Sequence, residues 1–217
     1  IRRLPMLPLG TVLLPSGVLP LQLFEDRYRR MIVDVLAADR ELGIVLILRG
    51  SEVGGGDLRY DVGTRSRVLE AREAPDGRWS VVIVGLQRVR VDRWMPDDPY
   101  PVADVRPMPD LPGPGIDPAS YRSLESRLRR LLAGLTELGD PVEAATFDLA
   151  DDPALGTLQM GALGPFTSYD RQRLLEADLV VERCGILDGL LDGAQGVVDM
   201  RLGLDWDAGG PAAGSSR

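Results

Sequence analysis

Between Pro107 and Pro118 the chain carries five prolines and two glycines. Proline has no N–H to donate and a fixed φ, so no helix runs through such a stretch. It reads as a linker and divides the 217-residue chain into parts with different patterns. Residues 1–112 are short apolar and β-branched runs between Gly/Pro turns, the pattern of strands. Residues 113–192 place apolar residues three and four apart, the pattern of helices. Residues 193–217 are ambiguous, and 208–217 is small and polar enough to read as a disordered tail.

Within the first part, Leu4–Leu9 contains Pro5 and Pro8, which places it at a sheet edge. Pro15-Ser16-Gly17 is a turn, and Val18–Phe24 a second strand. From Glu25 to Ala38 the period changes: Tyr28, Ile32, Val35 and Leu36 share one helical face. Gly43–Leu48 reads as a strand buried on both faces, and Gly50–Asp57, with Gly54-Gly55-Gly56, as a flexible loop. Gly63–Ala74 and Arg78–Val84 form a hairpin around Pro75-Asp76-Gly77. Gln87–Asp92 alternates, so that Val89 and Val91 face a core while Arg88 and Arg90 face solvent. Tyr100–Arg106 is the last strand. Short strands, Gly/Pro turns and one inserted helix predict a small, partly open β-barrel.

In the second part, Asp117-Pro118 reads as an N-cap with proline at the first helical position. Tyr121, Leu124, Leu128, Leu131, Leu132, Leu135 and Leu138 form the stripe of a helix that Gly139 ends. Pro141–Leu149 and Pro153–Leu163 read as shorter helical pieces. Thr167-x-x-Asp170 has capping-box form before a helical run, Arg171–Leu191, broken near Asp178. The fold class is α+β: the barrel with its inserted helix, then an α-helical bundle.

The residue types present restrict the chemistry. There is no His and no Lys, and Cys184 is the single cysteine. A Ser-His-Asp triad, a His-ligated zinc, a lysine Schiff base and a P-loop lysine are therefore excluded within this chain. The adjacent acids Asp97-Asp98 and Asp151-Asp152 sit in proline turns and read as turn formers or helix caps. Cys184 lies in an apolar helical stretch and reads as buried and inert. No catalytic residue, metal ligand or cofactor is expected. One cysteine and no visible export signal point to a reducing cytoplasm, and no run approaches the ~20 apolar residues of a membrane span.

Charge is uneven: residues 1–106 carry net +1, and residues 107–217 carry net −9. The acidic half would repel a phosphate backbone, which argues against a nucleic-acid partner. Large apolar side chains beside turns are the feature that points to binding: Leu13, Leu14, Trp94, Met95 and Tyr100. An apolar surface patch of a few hundred Å² marks an interaction site. The alternative is that these residues cover the barrel ends or the seam to the helices.

The run LPLGTVLLPSGVLPLQLFEDRYR, within Leu4–Arg30, resembles the opening of the Lon N-terminal domain, the substrate-recognition part of the Lon protease. GIVLIL, the Val62-Gly63-Thr64 step, and Asp76-Gly77-Arg78-Trp79 leading to Gly85–Val91 recur in the family's order. The resemblance is specific over about residues 4–107 and looser beyond. It implies a PUA-like β-barrel followed by a helical bundle, with neither ATPase nor peptidase. Glu25, Arg27 and Tyr28 match the family's motif, and helix capping and packing are expected of them. The function expected is non-enzymatic capture of unfolded or extended polypeptide segments. Rival expectations are an adaptor docking on an ATP-dependent protease through the acidic half, and a PUA-like RNA-binding module.

Overall fold

The structure, a computed structural model, describes residues 1–50, 56–142 and 148–208, with side chains up to residue 203. The expected glycine loop falls largely on residues 51–55, the Pro141–Leu149 helical piece on 143–147, and the tail on 209–217; these lie outside the described residues.

Six strands form one sheet: β1 (Arg2–Leu9), β2 (Val18–Leu23), β3 (Glu41–Arg49), β4 (Leu58–Glu73), β5 (Trp79–Trp94) and β6 (Val102–Pro107). Their order is β2-β5-β4-β3-β1-β6, and β6 pairs again with β5. The pairings from β5 through β4, β3, β1 and β6 thus return to β5. The 16-residue β5 allows this by dividing its length. Trp79–Val84 pairs with β2, and Val89–Trp94 pairs with β6.

β1 lies inside the strand order, not at the edge that its prolines predict. Its two halves have different partners. Arg2–Pro5 pairs antiparallel with β6, and Met6–Leu9 pairs parallel with β3. Each half carries a ladder on one side, so Pro5 and Pro8 can lack an N–H without breaking a two-sided ladder. An open edge runs along β2, which among the described residues pairs with β5 alone.

Helix α1 (Asp26–Ala37) buries Tyr28, Met31, Ile32 and Val35, close to the face read from spacing. They pack with Leu7, Leu9, Leu42, Ile44 and Ile83 in one core cluster. Leu4 and Met6 of β1 join Val45, Val89, Val91 and Val105 in another. The sheet is therefore buried on both faces over much of its area. β3 shows this directly, being buried from Glu41 to Leu46.

The helical part comprises α2 (Pro118–Glu137), α3 (Pro153–Leu163), α4 (Ser168–Glu176) and α5 (Val180–Ala208). Its caps follow the sequence. Asp117, Asp152 and Thr167 accept backbone N–H bonds from Ser120, Ala154 and Asp170 respectively. The α2 stripe packs on Leu187, Leu191 and Val198 of α5. α5 starts after a break at 177–179 and continues through the stretch that sequence left ambiguous. A fourth cluster joins the two parts: Val12, Leu14, Leu46, Val62 and Met108 meet Leu158 and Leu175.

Candidate functional site

The turn before β2 is pinned from several directions. Thr64 Oγ1 donates to the Leu13 carbonyl at 2.5 Å. Ser16 N–H donates to the Gly85 carbonyl, and Gly85 N–H donates back to Gly17, both at 2.9 Å. A side chain at Gly85 would place its Cβ 2.4 Å from the Leu14 carbonyl, so only glycine lets the turn approach β5 this closely. Leu13 and Leu14, read from sequence either as a binding surface or as cover for the barrel ends and seam, are consequently 5% and 1% exposed. Leu13 points into the α1 core, and Leu14 into the cluster joining sheet and helices.

Between this turn and helices α3 and α4 lies a cavity of about 380 Å³. Its apolar wall is Val12, Leu13, Leu14 and Leu19 on one side and Ala162 and Leu163 on the other. Thr11, Ser16, Gln159, Asp148 and Arg171 bring polar groups to it. Ser16–Leu19 also line it, so the cavity sits at the start of the open-edged strand. Farther along, Pro20–Gln22 border a shallower depression of about 600 Å³ with Leu69 and Arg72. Val18 is 58% exposed and Phe24 53%, so large apolar side chains stand at both ends of this edge.

Arg171 is the unusual group in the cavity wall. Its Nη2 donates to the carbonyls of Ala162 (3.4 Å) and Gly164 (3.1 Å). Its Nε is buried without a hydrogen-bond partner. Burial lowers its pKa from the ordinary arginine value, and no carboxylate opposes that shift. Among the described residues no acid forms an ion pair with it, although exposed Asp148 borders the same cavity.

Trp94, Met95 and Tyr100 stand apart from the cavity. Trp94 is half-buried at the end of β5 and packs against the cluster that contains Leu4 and Val91. Its Nε1 donates to Asp61 Oδ1 at 3.2 Å, and the Arg59 guanidinium lies 4.9 Å from its ring centre. Met95 is half-buried, its N–H bonded to the Val102 carbonyl at 2.8 Å. Tyr100 packs on the α1 core and donates to Asp34 Oδ2 at 2.9 Å. Burial, then the bond and charge of Asp34, raise its pKa. The five side chains singled out from sequence are therefore not brought together: Leu13 and Leu14 line the cavity, Trp94 and Met95 stand at the end of β5, and Tyr100 packs on the α1 core.

Sequence reasoning missed the polar joint between the two parts. Arg88, expected on a solvent face, is buried. It donates to the carbonyls of Leu175 (2.8 Å) and Ala177 (2.7 Å), at the C-terminal end of α4, and to Asp110 Oδ1 (2.7 Å). A cation there complements the helix dipole. Arg183, fully buried on α5, also bonds Asp110, together with the carbonyl of Ala154 (2.8 Å) and Thr157 Oγ1 (3.1 Å). Alternation correctly put Arg88 opposite Val89. The pattern of one strand carries no sign of the helices that cover that side.

The arrangement supplies apolar contact, an open strand edge and a cation that forms no ion pair among the described residues. Among the described residues no group of three or more Cys, Asp or Glu side chains could hold a metal ion. Nor is any helix among them long and apolar enough to cross a membrane. A mixed α/β module that presents a ligand-sized cavity where sheet meets helices is the class defined by this geometry.

The model of the ATP-dependent protease La (LON) substrate-binding domain matches residues 3–192, and the chain belongs to that family. It is 31% identical over 190 residues to Lon protease 2 of Herpetosiphon aurantiacus, covering 83% of this chain and 22% of that protein. It is 30% identical over 151 residues to the Lon protease of Anaeromyxobacter dehalogenans, covering 68% and 18%. The chain thus spans about a fifth of the length of these relatives. The crystal structure of a Lon N-terminal domain protein from Xanthomonas campestris superposes with a TM-score of 0.62 at 26% identity, covering 88% of this chain and 98% of that one. The N-terminal domain of the Mycobacterium avium complex Lon protease has the same TM-score at 20% identity and shares the fold.

Proposed function

We propose that the chain is a non-enzymatic module that holds extended or unfolded polypeptide segments along the open edge of β2. The observation that carries this reading is the placement of that edge. Among the described residues β2 pairs on one side only; it starts at an apolar cavity and has Val18 and Phe24 exposed. An added strand gains main-chain hydrogen bonds independent of its sequence, while alternate side chains find apolar contact. Tolerance of many sequences is what substrate recognition for proteolysis requires, and membership of the Lon substrate-binding family supports it. The ring of strand pairings is read as the closed part of a small PUA-like barrel, with β2 as its outlying strand.

Leu13 and Leu14 enter the proposal as cavity wall. Trp94, Met95 and Tyr100 are read as packing residues, each already held by a neighbouring acid or backbone group. In the same reading the chain works in the cytoplasm beside an ATP-dependent protease. Binding of a permanently unfolded, reduced and alkylated protein, compared with its native form by fluorescence anisotropy, tests the proposal. Preference for the unfolded form is expected, and Val18→Lys should weaken it. Equal or undetectable binding of the two forms contradicts the proposal.

A further inference from the structure

The cavity at the start of β2 has a chemistry that sequence-tolerant strand addition does not use. Arg171 brings a positive charge into an apolar wall without a carboxylate partner among the described residues. Two carbonyl oxygens engage its Nη2, whereas Nη1 makes no hydrogen bond to any described group. Gln159 accepts from the Ala150 N–H at 2.8 Å through Oε1, which leaves its Nε2 amide as a second donor in the same wall. Donors and a half-buried cation without an anion call for an anionic ligand, because a desolvated charge is costly unless paired.

Resting on the reading of β2 as the docking edge, we propose that this cavity takes the free α-carboxylate at the C-terminus of a bound polypeptide. Arg171 is its counter-charge and Leu163 a contact for the last side chain. A segment added antiparallel to β2 runs toward Val18 and meets the Ser16–Gly17 turn with α3 and α4 behind it. The chain has to end there, which favours a terminus over an internal acidic residue. Asp148 borders the cavity but is exposed, so its repulsion is screened by water.

The test uses the full chain and an N-acetylated nonapeptide of alternating Val and Thr ending in Leu. It is made with a free C-terminal acid, with a C-terminal amide, and as an amide carrying one internal Asp. The acid should bind about tenfold more tightly than the plain amide, the scale of one hydrogen-bonded charge pair. Arg171→Gln should reduce the acid to the affinity of the amide and leave the amide unchanged. Equal binding of acid and amide to the unmodified protein overturns the carboxylate site while leaving the β2 edge reading intact. No binding of any peptide overturns both. Binding of the internal-Asp amide as tightly as the acid overturns the assignment to a chain terminus. The wild-type comparison decides the matter even if Arg171→Gln fails to fold.

Discussion

Asp110 is one carboxylate serving two buried arginines, Arg88 from the sheet and Arg183 from α5. Burial first, and the neighbouring charge of Arg183 second, lower the Arg88 pKa. Removing one member of a buried ionic group leaves the others uncompensated, which costs more than the intact group contributes. Asp110→Ala should therefore destabilise the fold by on the order of 3 kcal/mol in urea unfolding; a loss within experimental error would show the joint to be dispensable. Glu41 is a second ionic focus, buried on β3 and paired with Arg2, Arg65 and Arg67. Burial would raise its pKa, but hydrogen bonds from Arg67 and Arg65 prevail and the net shift is downward. A carboxyl that titrates lower in the folded chain stabilises fully at neutral pH. That contribution declines as pH drops past the unfolded glutamate value of about 4.3 and is lost below the folded value. Glu41→Gln should thus be less stable than the parent at pH 7, with the gap narrowing toward pH 3. A gap independent of pH, measured by unfolding at several pH values, would contradict this. Neither cluster was legible in the sequence, because β4 arginines 24 and 26 residues away converge on Glu41 only after the sheet forms.

At the scale of elements, local signals were legible and the consequences of packing were not. The acid-proline steps at Asp117 and Asp152 and the Thr167 cap all begin helices, since a cap is decided within one turn of chain. The α1 stripe was readable for the same reason. The edge position of β1 was misread because a proline reports only a missing donor. Here β1 changes partner midway, so that donor is not required by a ladder on both sides. Leu13 and Leu14 were open to two readings, a binding surface or cover for the seam to the helices, because turns are usually exposed. This turn instead folds over Gly85 and Thr64. Gly85→Ala would push the Leu14 carbonyl away from β5 and open the cavity wall, at a stability cost of about 1–3 kcal/mol. Denaturant unfolding measures the loss, and a variant as stable as the parent would mean that the turn does not depend on this approach.

Across the whole molecule, the sheet and the C-terminal helices share one apolar cluster and one ionic joint, and the cavity lies along the same seam. The strand-rich and helical halves were readable from Pro107–Pro118 outward. What they form together was not, since cavity and joint draw residues from the turn before β2, β2 itself, β5, the linker at Asp110, α3, α4 and α5. The central claim is that polypeptide is held at the edge of β2. Hydrogen–deuterium exchange with and without the unfolded probe protein tests it most directly. Slowed exchange confined to Val18–Leu23 and the adjoining turn is the expected result; protection restricted to the acidic helices, or none at all under conditions of saturated binding, would contradict it.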